Sequence, residues 1–199
     1  MIKLAIDLND VYRNFTHQFA TYYKKEKDGA LDIDNLIYPD ESVLGAFEFD
    51  NKEELNEFMF VDYPYELFGC NKTMEENTSP LFNIWLNNLQ EFEGEQPKVS
   101  FVAPNEYNLA IQSTLYFLSK SASRVREITF PTSSKEIWDN NDIVITANPI
   151  ILNTKPENKI VIKINTKYNE NCNANYTYNK LTEFLSDKEV WIKLLKLEE

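Results

Sequence analysis

Glycine is scarce in this sequence, since only 4 of its 199 residues are glycine. Glycine lets a backbone approach a ligand closely, so an enzyme that holds phosphate with glycine-rich turns normally contains more of it. The chain also has only 2 cysteines and 1 histidine, which argues against a metal site built from these ligands. Because Cys70 and Cys172 lie far apart, we expect two reduced thiols in a protein of cytosolic type.

Positive charge and long hydrophobic runs are also lacking. The 20 Lys and Arg residues face 32 Asp and Glu residues, which leaves a net charge of −12. This balance argues against a broad nucleic-acid-binding surface. No apolar run approaches the roughly 18 residues of a membrane span, and the first residues are typical of a strand and not of a signal peptide. We therefore expect a cytoplasmic protein without a membrane partner.

Short apolar runs alternate with helical patterns along most of the chain. The predicted strands are residues 2–7, 98–103, 127–130, 142–146 and 159–164. The predicted helices are residues 11–25, 52–60, 81–92, 108–120 and 134–138, with a closing helix or helix pair at 179–197. Strands that alternate with helices indicate an α/β fold with a parallel sheet, whose strands are apolar on both faces because helices cover them.

Residues 28–94 interrupt this alternation with acidic residues and with Pro39, Gly45 and Pro64, among others. The composition predicts two parts: an α/β core formed by residues 1–27 and 95–199, and a cap-like insertion at residues 28–94. A stretch at residues 58–65 is rich in aromatic side chains. These side chains either supply a protein interface, where Tyr and Phe are common, or pack the cap onto the sheet.

Polar and small residues follow several predicted strands at the edge where parallel sheets place their sites. They are Asp7, Asn9 and Asp10 after the first strand, Ala103 and Pro104 after the second, Lys135 beyond the short strand, and Thr146, Ala147 and Asn148 after the strand at 142–146. We expect these four segments to converge.

Three of the segments resemble motifs of a known superfamily. They read Asp7-Leu8-Asn9-Asp10-Val11-Tyr12-Arg13-Asn14-Phe15, Asn141-Asp142-Ile143-Val144-Ile145-Thr146-Ala147-Asn148-Pro149 and Lys167-Tyr168-Asn169. In this order and spacing they resemble the haloacid dehalogenase (HAD) superfamily, in particular its 5'(3')-deoxyribonucleotidase-like branch. The resemblance covers most of the chain and implies a Rossmann-like parallel-sheet core with a small inserted cap.

The resemblance also implies roles for individual residues. In the family the first aspartate attacks phosphorus, and Asp7 occupies its place. The aspartate two residues later acts as general acid and base, which Asn9 cannot do because an amide has no titratable proton at useful pH. Lys135 matches the lysine that neutralises the nucleophile and the phosphate, although a solvated lysine at a helix start is an equal alternative. Asp7, Asn9 and Lys135 are therefore candidate catalytic positions in vestigial form.

The remaining motif positions depart from the family pattern. Ala103 occupies the position at which the family has a Ser or Thr that binds the phosphate. Thr146 and Ala147 occupy the positions of the family's aspartate pair that coordinates magnesium. Since Mg²⁺ requires carboxylate oxygens, we expect no metal and no other cofactor. If the protein is active, Asp7 together with Asp10 and Asp142 would have to hold the ion.

These departures favour a catalytically inactive protein that serves as a structural or protein-interaction subunit. Its partners would be other protein subunits in a homo- or hetero-oligomer. The usage of Asn, Lys, Ile and Tyr is common in AT-rich genomes and suggests a bacteriophage virion or assembly component, hence a virion location. The alternatives are a magnesium-dependent 5'-nucleotidase acting on (deoxy)nucleoside monophosphates, which is a phosphoric monoester hydrolase, and a nucleotide-binding sensor.

Overall fold

A parallel sheet forms the centre of the protein. The computed structural model describes residues 1–38, 44–92 and 95–196, and within these ranges six strands pair in the order β3-β2-β1-β4-β5-β6. The strands are β1 (Lys3–Asp7), β2 (Lys98–Val102), β3 (Ile128–Thr129), β4 (Ile143–Thr146), β5 (Ile160–Ile164) and β6 (Tyr176–Tyr178). Every neighbouring pair runs parallel, which confirms the predicted α/β fold class.

The helices of the described ranges are α1 (Phe15–Glu26), α2 (Lys52–Glu57), α3 (Thr78–Leu89), α4 (Leu109–Lys120), α5 (Ser134–Asn140), α6 (Pro149–Asn153), α7 (Leu181–Ser186) and α8 (Lys188–Leu195). A 3-10 turn lies at Ile33–Asn35, and π-helical turns lie at Phe58–Asp62 and Tyr65–Gly69. Over the same ranges, no helix combines the length and apolarity needed to cross a membrane. Pro39 in the predicted insertion and Leu197 at the end of the predicted closing helix lie outside the described residues.

Both faces of the sheet are buried under helices. Leu4 and Ile6 of β1 join a hydrophobic cluster on one face, which side chains of α3, α4, α7 and α8 complete. Ala5, between them, joins a second cluster on the other face with side chains of α5 and α6. This alternation follows from the pleat of a strand, and each fully buried Leu or Ile contributes about 1.5–3 kcal/mol to stability. The helices on both faces were predicted from the apolar strands.

A third hydrophobic cluster lies apart from the sheet. It joins α1 to residues 44–69, and we call these two segments the aromatic lobe. The ring of Phe19 in α1 lies 4.7 Å from the ring of Phe47 and 5.5 Å from the ring of Phe58, measured between centroids. Aromatic pairs at such distances add about 0.5–1.5 kcal/mol each beyond their buried area.

The chain enters and leaves the aromatic lobe at one place. The N–H of Asn14 donates to the carbonyl of Lys72 at 2.9 Å, and the N–H of Met74 donates to the carbonyl of Tyr12 at 3.0 Å. In the connection from β1 to β2, the helix that packs on the sheet is therefore α3. The helix predicted at residues 11–25 corresponds to α1, whose apolar side chains pack in the aromatic lobe. This packing favours an excursion between residues 14 and 72 over an insertion at 28–94, and the domain boundaries remain a prediction.

Candidate functional site

A cavity of about 370 Å³ opens at the carboxyl edge of the sheet. Its polar lining comes from the segments after β1, β2, β4 and β5 and includes Asp7, Asn9, Asp10, Glu106, Asn148 and Tyr168. Its apolar lining comes largely from the aromatic lobe and includes Phe15, Met59, Phe60 and Phe68. Parallel strands end at the same edge, which is why residues so distant in sequence meet there.

Asp7 is the last residue of β1, and its side chain is buried. Its Oδ1 accepts a hydrogen bond from the N–H of Asn9 at 3.2 Å, and its Oδ2 accepts one from the hydroxyl of Thr146 at 2.8 Å. Loss of water on burial raises the pKa of this carboxyl to about 7, and the two hydrogen bonds only partly oppose that shift. Near neutral pH the carboxyl group is therefore divided between its protonated and ionised forms.

The side chain of Asn9 accepts hydrogen bonds from the buried Arg13. The Nε and Nη2 groups of Arg13 donate to the amide oxygen of Asn9 at 3.1 and 2.6 Å. Nη2 also forms an ion pair with Glu106, and the two side chains are 0% and 2% exposed. Nη1 donates to the hydroxyl of Thr114 at 2.6 Å. Asn9, which the sequence resemblance aligns with a general acid, thus acts in this chain as a hydrogen-bond acceptor for Arg13.

Asp10 directs its carboxylate toward neutral donors. Its φ of 57° lies in the left-handed region, which Asp tolerates better than most residues. Oδ1 accepts the N–H of Thr16 at 2.8 Å, and Oδ2 accepts the hydroxyls of Thr16 and of Tyr168, the latter at 2.7 Å. Thr16 lies in the first turn of α1, so Asp10 satisfies an N–H that the helix leaves unpaired. Burial raises the pKa of Asp10 as well.

Thr146 connects the ends of β1 and β4, which are neighbours in the sheet. Its buried hydroxyl donates to Asp7 and accepts the N–H of Asn148 at 2.9 Å. Ala147, the next residue, is buried and has no polar side chain. Thr146 and Ala147, which the sequence resemblance aligns with a metal-binding aspartate pair, therefore supply a hydroxyl hydrogen bond and a buried methyl group.

Lys135 does not reach the cavity. It lies in the first turn of α5, its side chain is 83% exposed, and its Nζ pairs with Asp139 one turn later at 2.5 Å. A surface pair of this kind contributes little to stability. Of the three candidate catalytic positions, the structure brings Asp7 and Asn9 together and leaves Lys135 on the surface.

Asp142 lies at the opposite edge of the sheet. It immediately precedes β4, its Oδ2 accepts the N–H of Lys3 at 3.0 Å, and its Oδ1 pairs with Lys159 at 3.1 Å. Lys3 and Asp7 are the two ends of β1, and a strand of this length separates them by about 13 Å. Asp142 therefore cannot join Asp7 and Asp10 around one ion, because strand direction puts it at the amino edge.

The residues at the carboxyl edge do not fit a magnesium ion. Mg²⁺ needs carboxylate oxygens in near-octahedral geometry and gives up its waters reluctantly. Of the carboxyl groups at this edge, Glu106 is paired with Arg13 and Asp10 accepts three hydrogen bonds, so Asp7 alone keeps acceptor positions for a metal. Nowhere in the described ranges do three His, Cys, Asp or Glu residues form a group that could hold a metal.

Two residues of the site had no predicted role. Arg13 stands within the quoted motif, four residues after Asn9, and Glu106 lies in the loop between β2 and α4. The only sequence signal for Arg13 is a single basic residue among aromatic ones, which does not distinguish a buried ion pair from an exposed side chain. Their pairing arises because the segments after β1 and β2 meet at one edge.

Comparison with solved structures finds proteins of similar fold. One, from Burkholderia xenovorans and described as a haloacid dehalogenase-like hydrolase, is 8% identical with a TM-score of 0.58 over 96% of this chain and 98% of its own. Another so described, from Bacteroides fragilis, is 10% identical with a TM-score of 0.60 over 92% and 98%. No family model and no curated protein matches the sequence. The chain therefore has the fold of haloacid dehalogenase-like hydrolases, as its motifs implied.

Proposed function

We propose that this chain is a non-catalytic protein that uses a haloacid dehalogenase-like fold as a binding and interaction subunit. The observation that carries the proposal is the charge of the cavity. Its described lining includes Asp7, Asp10 and Glu106 but no Lys or Arg. Phosphate groups are anionic at neutral pH and are held by cations or by several aimed N–H donors. The cation beside the cavity, Arg13, is already paired with Glu106.

The proton-transfer groups of a phosphatase are also replaced. The amide of Asn9 offers no proton at useful pH, and its oxygen is occupied by Arg13. Ala103, at the position of the phosphate-holding hydroxyl, is fully buried and apolar. Since the loss of one stabilising donor alone costs about 10²–10³ in rate, the combined losses support an inactive protein.

The surface of the aromatic lobe supports an interaction role. Within residues 58–65, Phe58 and Phe60 pack inside the lobe, whereas Val61 and Tyr65 are 64% and 47% exposed. The ring of Tyr65 contacts the ring of Tyr116, which is also 46% exposed, at 5.4 Å between centroids. Exposed tyrosines of this kind are enriched at protein interfaces. The partner in this proposal is another protein subunit, as it would be in a phage assembly or virion.

Hydrolysis assays test the proposal that the protein is catalytically inactive. The full chain is incubated with deoxynucleoside monophosphates and p-nitrophenyl phosphate, with and without Mg²⁺, and Asp7→Asn serves as the blank. We expect the same residual rate in both proteins. Turnover that needs Mg²⁺ and disappears in Asp7→Asn would establish the nucleotidase alternative. Calorimetry with the same nucleotides tests the sensor alternative, and we expect no binding because the cavity is acidic.

Size-exclusion chromatography with light scattering, followed by affinity capture, tests the interaction half. We expect an assembly larger than one chain, or a partner protein that is lost when Tyr65 and Tyr116 are changed to Ser. A monomer at every concentration that captures no partner would contradict this role.

A further inference from the structure

The carboxyl groups of Asp7 and Asp10 accept no hydrogen bond from a cationic group, although the charge of the nearby Arg13 guanidinium lowers the pKa of each. Their hydrogen-bond donors are hydroxyl groups and backbone N–H groups, all of them neutral. Among the ion pairs of the described residues, none includes either aspartate. Burying two neighbouring carboxyls without a hydrogen-bonded counter-charge is costly, because burial removes their hydration and the charge of Asp10 disfavours ionisation of Asp7. Arg13 offsets this cost only in part, since it is already paired with Glu106. A ligand that brings a positive charge would remove this cost.

Asp7 has more capacity for such a ligand than Asp10. An ionised carboxylate offers about four acceptor positions. Asp7 uses two of them, for Asn9 and Thr146, whereas Asp10 receives three donors from Thr16 and Tyr168. Asp7 also lines the cavity, so a donor placed there reaches its remaining positions.

The walls of the cavity suit an apolar body that carries the positive charge. Three aromatic rings from the lobe line it, and they form a stack in which Phe68 lies 5.4 Å from Phe15 and 5.7 Å from Phe60. Aromatic rings attract cations through their faces, and the guanidinium of Arg13 already lies over the rings of Phe15 and Phe68 at 5.9 and 5.2 Å from their centroids. The cavity volume of about 370 Å³ lies at the lower end of the range for small-molecule sites. The net charge of −12 further concentrates cations around the protein.

We propose that this cavity binds a small organic cation, namely a protonated amine attached to an aromatic or aliphatic body. The ammonium group donates hydrogen bonds to Asp7, and the body packs against Phe15, Phe60 and Phe68. This inference rests on the proposed function in one respect, which is that the cavity is not a phosphate site. A metal cation is the weaker fit, because one available carboxylate does not complete its coordination.

Calorimetry with three ligands of one shape tests the charge requirement on the unmodified full chain at pH 8. The ligands are 2-phenylethylamine, its neutral analogue 2-phenylethanol, and the anion phenylacetate. We expect the amine to bind at least about tenfold more tightly than the alcohol, a difference that corresponds to one hydrogen-bonded ion pair, and phenylacetate not to bind. Equal affinity for amine and alcohol, or no amine binding at millimolar concentration, overturns the inference.

Two variants test the location. Asp7→Asn keeps the shape of the side chain, and we expect it to weaken amine binding about tenfold without changing 2-phenylethanol binding. Ile150 lines the cavity and is 65% exposed, so its substitution does not disturb the core. Ile150→Lys places a cation at the cavity and should weaken amine binding, whereas Ile150→Gln, the matched control, should not. Unchanged amine affinity in both Asp7→Asn and Ile150→Lys overturns the inference.

The failure of this inference is distinguishable from the failure of the proposed function. Absence of amine binding would not contradict the proposal of a non-catalytic subunit, because turnover is measured in a separate assay. Turnover of phosphate esters overturns the proposed function whatever the amine does. Displacement of the amine by Mg²⁺ at equal concentration would overturn the organic cation in favour of a metal.

Discussion

Each edge of the sheet carries a strand-end aspartate, and the two side chains lie in opposite electrostatic surroundings. Asp7, at the carboxyl edge, is 1% exposed and accepts hydrogen bonds from neutral groups, and burial raises its pKa to about 7. Asp142, at the amino edge, has a side chain that is 47% exposed. The N–H of Lys3 and the ammonium of Lys159 hold the pKa of Asp142 below its usual value.

The difference shows that a carboxylate at a strand end is not a site by position alone. Asp142 ties the starts of β1, β4 and β5 together through ordinary surface bonds. Asp7 is buried, accepts hydrogen bonds only from neutral groups, and has a raised pKa that the charge of Arg13 lowers only in part. Variants at the two edges should therefore differ in size, in sign and in dependence on pH.

The largest effect is expected at the carboxyl edge, from Arg13→Leu. This change leaves Glu106 buried without its partner and Asn9 without its donor, which should lower the free energy of unfolding by about 3–5 kcal/mol. Urea denaturation measures it, with Arg126→Leu on the exposed surface as the control, expected within about 0.5 kcal/mol of the parent. The double variant Arg13→Leu with Glu106→Leu should recover part of the loss. A cost no greater than that of the control would contradict the buried ion pair.

A smaller effect of opposite sign is expected from Asp7→Asn. Because the pKa of Asp7 is about 7 in the folded chain and near 3.8 in the unfolded chain, the folded state binds more protons between pH 4 and 7. Stability due to this group therefore falls as pH rises through that window. The variant should be more stable than the parent by about 1 kcal/mol or more at pH 8, with the difference shrinking toward pH 4.

Denaturation of parent and Asp7→Asn at several pH values measures this difference. Asp10, whose pKa burial also raises, is present in both proteins and shifts both in the same direction. A variant that is less stable than the parent at pH 8 would show that Asp7 is ionised at no cost to the fold.

The smallest effect is expected at the amino edge, from Asp142→Asn. The pKa of Asp142 is lowered, so its contribution is present above the unfolded value of 3.8 and disappears as pH falls below it. Because the pair with Lys159 is partly exposed, the variant should lose no more than about 1 kcal/mol at pH 7. Lys135→Ala, which breaks an exposed pair on α5, is the matched control and should be nearly neutral. A gain in stability at pH 7 would remove the contrast between the edges.

Much of the sheet could be predicted because buried parallel strands have a local signature. The apolar runs at β1, β2, β4 and β5 are long enough to be read without neighbours. β6 (Tyr176–Tyr178) and α6 (Pro149–Asn153) were missed, since three and five residues are too short for a period to appear. The predicted helix at residues 52–60 begins as α2 and continues as a π-helical turn to Asp62, a change that hydrophobic spacing does not encode.

The sequence predicted which chain segments meet at the site but not which side chains form hydrogen bonds and ion pairs there. The convergence of the segments after β1, β2 and β4 follows from parallel topology, and Asp7, Pro104 and Asn148 do line one cavity. Lys135 follows the same rule and still lies outside, because the direction of its side chain depends on α5 and its pairing with Asp139. Arg13 could not be predicted as a buried residue, since its burial depends on Glu106 and Thr114, which lie 93 and 101 positions away.

By itself the sequence determined where most of the longer strands and helices form and which edge of the sheet carries the polar residues, because these depend on residue type and local period. Only the tertiary structure decided the ionisation of Asp7 and Asp10. Their donors Thr146 and Tyr168 arrive from 139 and 158 positions away. Burial raises both pKa values, and burial exists only once the sheet edge, the loop after β5 and the aromatic lobe have closed around these carboxyls.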